Sequence, residues 1–327
     1  MYQTKRTHVF LLTVVLATSG LRGMESPAPS AQPLPSSLTA EEQPDGCLVR
    51  EGESPVFFYQ KSTKSQDGQF ARAHYLHPLY DLDGNVLTED FPKDHPHHRG
   101  VFWAWHLLSV AGQPAGDSWA TENFSWNVQD LKIATPDPRC LELRVKVLWQ
   151  SALGTTGGTP IPLVEETTAI RVHATKEDAR KIDFRIRLLA LREQMMIGGS
   201  DDDKGYGGFS ARIRIPQDPQ FQSRSGVVSP RVTAVEAGAW FDLSGDFDGS
   251  GRVSGVAILS HPSVPFFPPQ WVVRRRPGMQ NAVYPGRWPV ALSATAPTEL
   301  RYCLVIHRGN AQQARIEDLQ TEYEGTP

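Results

Sequence analysis

The stretch DFPKDHPHHRGVFWAWH, Asp90 to His106, sets four histidines, two aspartates and an arginine beside two prolines and two tryptophans. Imidazole at that density suits proton transfer near neutral pH, hydrogen bonding to a polar ligand, or transition-metal ligation. In an extended chain His95 and His97 would share one face and His98 the other. Pro92 and Pro96 stiffen the approach, so a loop is expected to enter a strand at Gly100, and VFWAWHLL should turn its large aromatics inward. A metal would call for two or three histidines with a carboxylate, here His95 and His97 with Asp94, or with Glu122. The spacing matches no established zinc signature. The reading without metal is a polar, sugar-like ligand held by hydrogen-bonding and proton-transferring histidines. The plainest alternative is a loop pinned by its own histidine hydrogen bonds.

Further along the chain, Glu166 is in phase with Ile170 and Val172, which aims its carboxylate at the less solvated face. Burial there should raise its pKa, as a general acid or base requires. A strand end with Glu165 and Glu166 both meeting water is the alternative. Arg212 alternates with Ile213 and would bind ligand hydroxyls or a carboxylate, or pair across the sheet with Asp183 or Glu142. The loop GGSDDDKGYGG places Lys204 after three aspartates that lack the alternating ligand spacing of a calcium loop, so a solvated lid is expected. His261 and Trp271, in LSHPSVPFFPPQW, would stack on a sugar and donate to its oxygens, or serve as a turn histidine and a core tryptophan. Arg274 to Arg276 reads as a solvated run or a local anion contact, and His307 as a strand cap. The candidate catalytic set is therefore His95, His97, His98, Glu166 and His261. The candidate substrate-binding set is Arg99, Trp105, His106, Lys204, Tyr206, Arg212 and Trp271.

The elements that must position these residues are strands. In CLELRVKVLW the apolar Leu141, Leu143, Val145 and Val147 alternate with Glu142, Arg144 and Lys146, and KIDFRIRLLAL repeats the pattern. PVFFYQ, ARAHYLHPLY, ETTAIRVHA, FSARIRI, GVAILS and YCLVIH are similar, with turn signals at LDGN, GTTGGTP and FDGSG. One helix is expected near the C-terminus, with Asn310 as N-cap, Gln313 three residues on, and Ile316, Leu319 and Tyr323 on one stripe. Many strands without intervening helices exclude a doubly wound α/β fold and predict an all-β, large antiparallel sandwich.

Lys5 and Arg6 followed by an apolar run from Val9 to Ala17 and then small residues predict a secretory signal peptide over residues 1–23, hence an exported protein. The run is shorter than the roughly 20 residues of a membrane span. Residues 24–46, rich in Pro and Ser, predict a disordered tether, leaving 47–327 as one domain. A net charge of −3 gives no basic footprint for nucleic acid. Three scattered cysteines, Cys47, Cys140 and Cys303, make no disulfide framework, although one bridge is compatible with export.

The segment YLHPLYDLDGNVLTEDFPKDHPHHRGVFWAW resembles the hallmark of secreted bacterial proteins of the PmoA-like family, which bears a "methane oxygenase" label. VEETTAIRV, KIDFRIRL, KGYGGFSARI, WFDLSGDFDG, GVAILSHPSVPFFPPQW and YCLVIHRG extend the resemblance over roughly Ser54 to Gly309. Where relatives carry Lys-Glu-Gly, this chain has Lys204, Gly205 and Tyr206, so no glutamate transfers to that site. The oxygenase label does not fit literally, because the membrane subunit of that name spans the bilayer several times and this chain has no such apolar runs after residue 20. The resemblance implies a sandwich similar to galactose mutarotases and a sugar or oligosaccharide ligand. The leading expectation is general acid/base chemistry on a sugar: mutarotation, epimerisation or elimination. A metal-dependent hydrolase, lyase or oxygenase with a divalent metal, and a non-catalytic glycan-binding module, are the alternatives.

Overall fold

Alternating apolar residues on long strands build two nine-stranded antiparallel sheets. In a computed structural model describing residues 1–3, 38–155, 158–276 and 278–327, the first runs Leu38–Gln43, Gly46–Glu51, Ser54–Gln60, Tyr75–Leu79, Val101–Trp105, Gly207–Arg212, Met279–Val283, Gln270–Val273 and Val235–Glu236. The second runs Phe124–Asp137, Cys140–Ser151, Ile161–His173, Ala179–Ala190, Thr298–Arg308, Ser254–Ser260, Trp240–Asp246, Gln217–Ser223 and Gly226–Val227. The all-β sandwich predicted from the alternation is what forms. Leu143, Val145, Val147, Ile182, Phe184 and Ile186 from the second sheet share a core with Val101, Trp103, Trp105 and Phe209 from the first.

Two boundaries differ from expectation. Leu38–Gln43 lies inside the stretch read as tether, yet it pairs along its whole length with Gly46–Glu51. The folded region thus includes residues before Cys47, because backbone pairing at a sheet edge does not require large apolar side chains. The signal peptide and the remainder of the tether fall outside the described residues. The helix spans Ile316–Glu324 rather than starting after Asn310. Asn310 and Gln313 do exchange reciprocal bonds, Gln313 N to Asn310 Oδ1 at 3.0 Å and Asn310 N to Gln313 Oε1 at 2.9 Å, but these close a turn ahead of the helix. Ile316 and Tyr323 pack on Trp240, Leu259, Cys303 and Val305, the second sheet's outer face. All three cysteines are buried and unpaired. Among the described residues no helix is long and apolar enough to cross a membrane.

At the centre of the sandwich lies a fully buried carboxylate, Glu166. Its Oε1 accepts from His74 Nε2 at 2.7 Å, Trp103 Nε1 at 2.9 Å and the Thr168 hydroxyl, while Oε2 accepts from Trp149 Nε1 at 2.7 Å. Tyr59 OH reaches the other nitrogen of His74 at 2.7 Å. Trp103 stands on the first sheet and Trp149 and Thr168 on the second, so one charged group ties the layers together. Burial alone would raise the Glu166 pKa, but the adjacent His74 charge and the four donors outweigh it and hold the carboxyl below its ordinary value. That reverses the raised pKa expected for a catalytic acid, because the expectation counted desolvation without the donors.

Removing a charge from such a network while its partners stay buried is costly. Glu166→Gln should lower unfolding stability by about 3 kcal/mol in urea denaturation, while Glu165→Gln, a half-exposed partner of Lys146 at 2.9 Å, should stay within about 0.5 kcal/mol.

Candidate functional site

The histidine loop is more tightly folded than an extended chain. His95 N bonds Pro92 O at 3.1 Å and His98 N bonds His95 O at 2.9 Å, so two successive turns replace the alternation of faces. Pro96 occupies the second position of the later turn, where its fixed φ is favoured. The turns gather three rings: His95 and His97 have centroids 5.7 Å apart, His97 and His98 4.4 Å, and His95 and His98 stack at 4.8 Å with planes 5° apart.

Two arginines hold this loop, and both belonged to the expected substrate-binding set. Arg99 is buried, forms an ion pair with Asp90, donates to the carbonyls of Lys64 and Phe70, and lies 3.4 Å from the Phe91 ring centroid. Asp90 and Arg99 also form a backbone bridge, closing the loop at its base. Arg212, from the neighbouring strand, donates to Glu89 and Asp94 at 2.7 Å each and to His98 Nδ1 at 3.4 Å. Its partners are therefore in the histidine loop, not Asp183 or Glu142, because its strand lies beside the strand that the loop feeds. Gly100 allows the close approach that follows: its φ is +53°, and a Cβ there would sit 1.9 Å from Leu76 O.

On the outer face of the first sheet, Phe102, Ala104 and Met279 pack with Trp119, and Tyr206 leans on them. Above this patch opens a cavity of about 820 Å³, lined by His95, His97, His98, His106, Trp119, Ser200, Asp202, Lys204 and Tyr206, with Pro230 to Val232 and Arg274 to Arg276 on further loops. That volume suits a small-molecule site, roughly 300–1,000 Å³. Of the expected residues, His95, His97, His98, His106, Lys204 and Tyr206 meet here.

The others do not line the cavity. Glu166 is in the core. Trp105 and Trp271 are buried, their indoles donating to Tyr284 O at 2.8 Å and Gly238 O at 2.9 Å. His261 bonds Ser263 at 2.8 Å and Thr326 O at 3.2 Å beside the Tyr323 ring. His307 forms a buried pair with Asp242 at 2.8 Å instead of capping its strand. His261 and Trp271 are thus the turn histidine and core tryptophan of the alternative reading, whereas Glu166 faces inward as its phase predicted, into the sandwich core and away from the cavity.

The most chemically specific contact in the cavity involves a residue that the sequence did not single out. His106 Nδ1 is 2.8 Å from Asp117 Oδ2, and its ring stacks on Trp119 at 5.5 Å and 29°. A carboxylate only accepts, so Nδ1 carries the hydrogen and Nε2 keeps its lone pair when the ring is neutral. Asp117 Oδ1 in turn accepts Ala120 N at 2.7 Å, and the buried Arg72 donates to Ser118 O at 2.8 Å and Trp119 O at 3.1 Å, which fixes the loop. The available signal was a bulky tryptophan inside the polar turn GDSWATEN.

His98 is buried, and burial followed by neighbouring cationic charge pushes its pKa down, so it stays neutral. Accepting Arg212 on Nδ1 leaves its Nε2–H as a donor. His97 is likewise pushed down, to about 4, first by burial and then by Arg72. The aspartate-rich loop is tied down instead of free: Asp202 accepts from Ser200 at 2.8 Å and Lys204 N at 3.0 Å, pairs with the Lys204 ammonium, and its pKa falls to about 2 despite partial burial.

Among the described residues no group of three or more His, Cys, Asp or Glu side chains is placed to hold a metal. Donor lone pairs lie in the ring plane, and nearly parallel stacked planes do not meet at one ion, so His95 and His98 cannot share a metal as placed. Asp94, the expected third ligand with His95 and His97, is engaged by Arg212 at 2.7 Å.

A family model described as a family of unknown function, DUF6807, matches residues 47–321. The chain belongs to DUF6807. No curated protein matches this DUF6807 chain. Among solved structures it is similar to "a putative mutarotase (YeaD) from Salmonella typhimurium", at 11% identity and a TM-score of 0.31, covering 85% of this chain and 96% of that one.

The histidine pKa values predict an acid-sensitive fold. Where a folded histidine titrates below its unfolded value of about 6.5, the unfolded chain binds the extra proton and stability is lost as pH is lowered. His97 and His77, both pushed down to about 4, and His98 act in this sense between about pH 6.5 and 4. The lowered carboxylates lose their contribution only further down, as pH drops through about 4. The urea midpoint should thus fall from about pH 7 to about pH 5, and less steeply in His97→Gln; equal slopes would contradict the His97 assignment.

Proposed function

We propose that this DUF6807 protein is an exported, carbohydrate-active protein that transfers protons on a sugar-like ligand bound in the histidine cavity, with His106 as general base. The observation that carries the reading is the pairing of the cavity-lining His106 with Asp117 behind it. A carboxylate that fixes the Nδ1–H tautomer leaves Nε2 free to take a proton, and stabilises the imidazolium that results. The neutral His98 and His97 supply imidazole N–H groups to a ligand oxygen as charge builds on it. Tyr206, leaning on Trp119 at a ring separation of 5.2 Å, offers an aromatic wall. Glu166 has no part in this chemistry; its contribution is to hold the strand that leads from the histidine loop to His106.

These roles suit mutarotation, epimerisation or elimination, each of which begins with removal of a proton from a hydroxyl or a C–H. Export is supported by the charged, apolar and small-residue order of the first 23 residues.

Incubating the protein with a panel of aldoses and uronates in deuterated water, with NMR detection of anomer exchange, epimer formation and deuterium at carbon, tests the reading. Wild type should catalyse at least one of these. His106→Ala should lose on the order of 10²-fold or more, and Asp117→Asn a comparable share by releasing the tautomer, with both variants remaining folded. Saturable sugar binding without any such exchange would make the protein a glycan-binding module, and full activity in His106→Ala would remove His106 as the base.

A further inference from the structure

The arginine run is not solvated at random. Arg274, Arg275 and Arg276, together with Arg231 and Lys204, line the same cavity as His106. Among the described residues the one carboxylate lining it, Asp202, is committed to Lys204, Ser200 and backbone N–H groups. Among the described residues Arg231, Arg275 and Arg276 pair with no carboxylate. Arg274 is oriented from within the cavity wall, donating to Tyr206 OH at 2.9 Å and to Val232 O. The chain as a whole carries a formal charge of −3, so this excess of cations is local, and a cleft of one sign concentrates ligands of the other.

We propose that the ligand of this site is a sugar bearing a carboxylate, a uronate residue, bound with its carboxylate toward the Arg231 and Arg274 to Arg276 side of the cavity. The proposal rests on the proton-transfer reading of His106 and names its substrate class. Guanidinium groups match carboxylate oxygens in pairs of hydrogen bonds, and a bound carboxylate explains why base and cations share one cavity. The C–H next to a free carboxylate resists deprotonation, because the carbanion would add a second negative charge beside the first. Cations offset that charge. His106 Nε2 then takes the proton, and the C–H electron pair delocalises into the carboxylate. Return of a proton to the opposite face gives the epimer. Alternatively the pair forms a carbon–carbon double bond as the bond from the β-carbon to its oxygen breaks, and that oxygen leaves with a proton supplied by an imidazolium or water.

The test compares binding of galacturonate, galactose and inorganic phosphate to the full chain by calorimetry or NMR titration, at low and high salt, in wild type, His106→Ala and Arg275→Ala/Arg276→Ala. The double variant alters two exposed side chains that pair with no acid, and circular dichroism checks its fold. The expected result is galacturonate at least about tenfold tighter than galactose, weakened by salt, and about tenfold weaker in the double variant while galactose is unchanged. Galactose binding as tightly as galacturonate, no salt dependence in wild type, or phosphate binding more tightly than galacturonate would each overturn the uronate assignment. The His106 reading would survive those results if sugar turnover still disappears in His106→Ala. Sugar turnover that persists in His106→Ala beside tight galacturonate binding would instead sink that reading and leave the anion site.

Discussion

A single buried carboxylate sets the conditions for everything above it. Glu166 is fully buried between two sheets, and such a charge survives only where donors surround it. The donors come from Trp103 on one sheet, from Trp149 and Thr168 on the other, and from His74. Trp103 cannot slip by one residue without leaving that carboxylate, and a one-residue slip is what would exchange the faces of its strand. With Trp103 held inward, Phe102 and Ala104 face outward, where Trp119 packs on them and the cavity opens. The electrostatics of the core thus determine which side of the strand Val101–Trp105 becomes the site.

On that fixed strand the two ends are arranged separately. Before it, Arg99 and Arg212 anchor a double turn whose imidazoles are buried and then crowded against one another and against cations, which keeps His97 and His98 neutral. After it, His106 has the opposite surroundings, a carboxylate on Nδ1 and an aromatic face beneath. Neutral donors and a histidine oriented by a carboxylate therefore come from the same residue type, separated by environment, and the proposed proton transfer uses both.

The strands were legible because burial of one sheet face writes a period of two into the sequence, as in Leu141 to Val147. His95, His97, His98, His106, Lys204 and Tyr206, picked out by residue type and local density, line one cavity. Arg99, Arg212 and Trp271 were misleading because the groups that bind ligands well also make good internal anchors, and only their partners tell the two apart. Glu166 was correctly placed on the inward face, but its donors arrive from residues up to 92 positions away, beyond the reach of local pattern. Asp117 was missed for the same reason: its importance lies in a contact with His106 made by the return of a loop.

The account turns on His106 being a base held by Asp117. Long-range proton–nitrogen correlation of the imidazole rings, at a pH where His106 is neutral, reads its tautomer directly. The account predicts hydrogen on Nδ1 and a bare Nε2, shifting to the mixed-tautomer pattern in Asp117→Asn; hydrogen on Nε2 in the wild-type protein would contradict it.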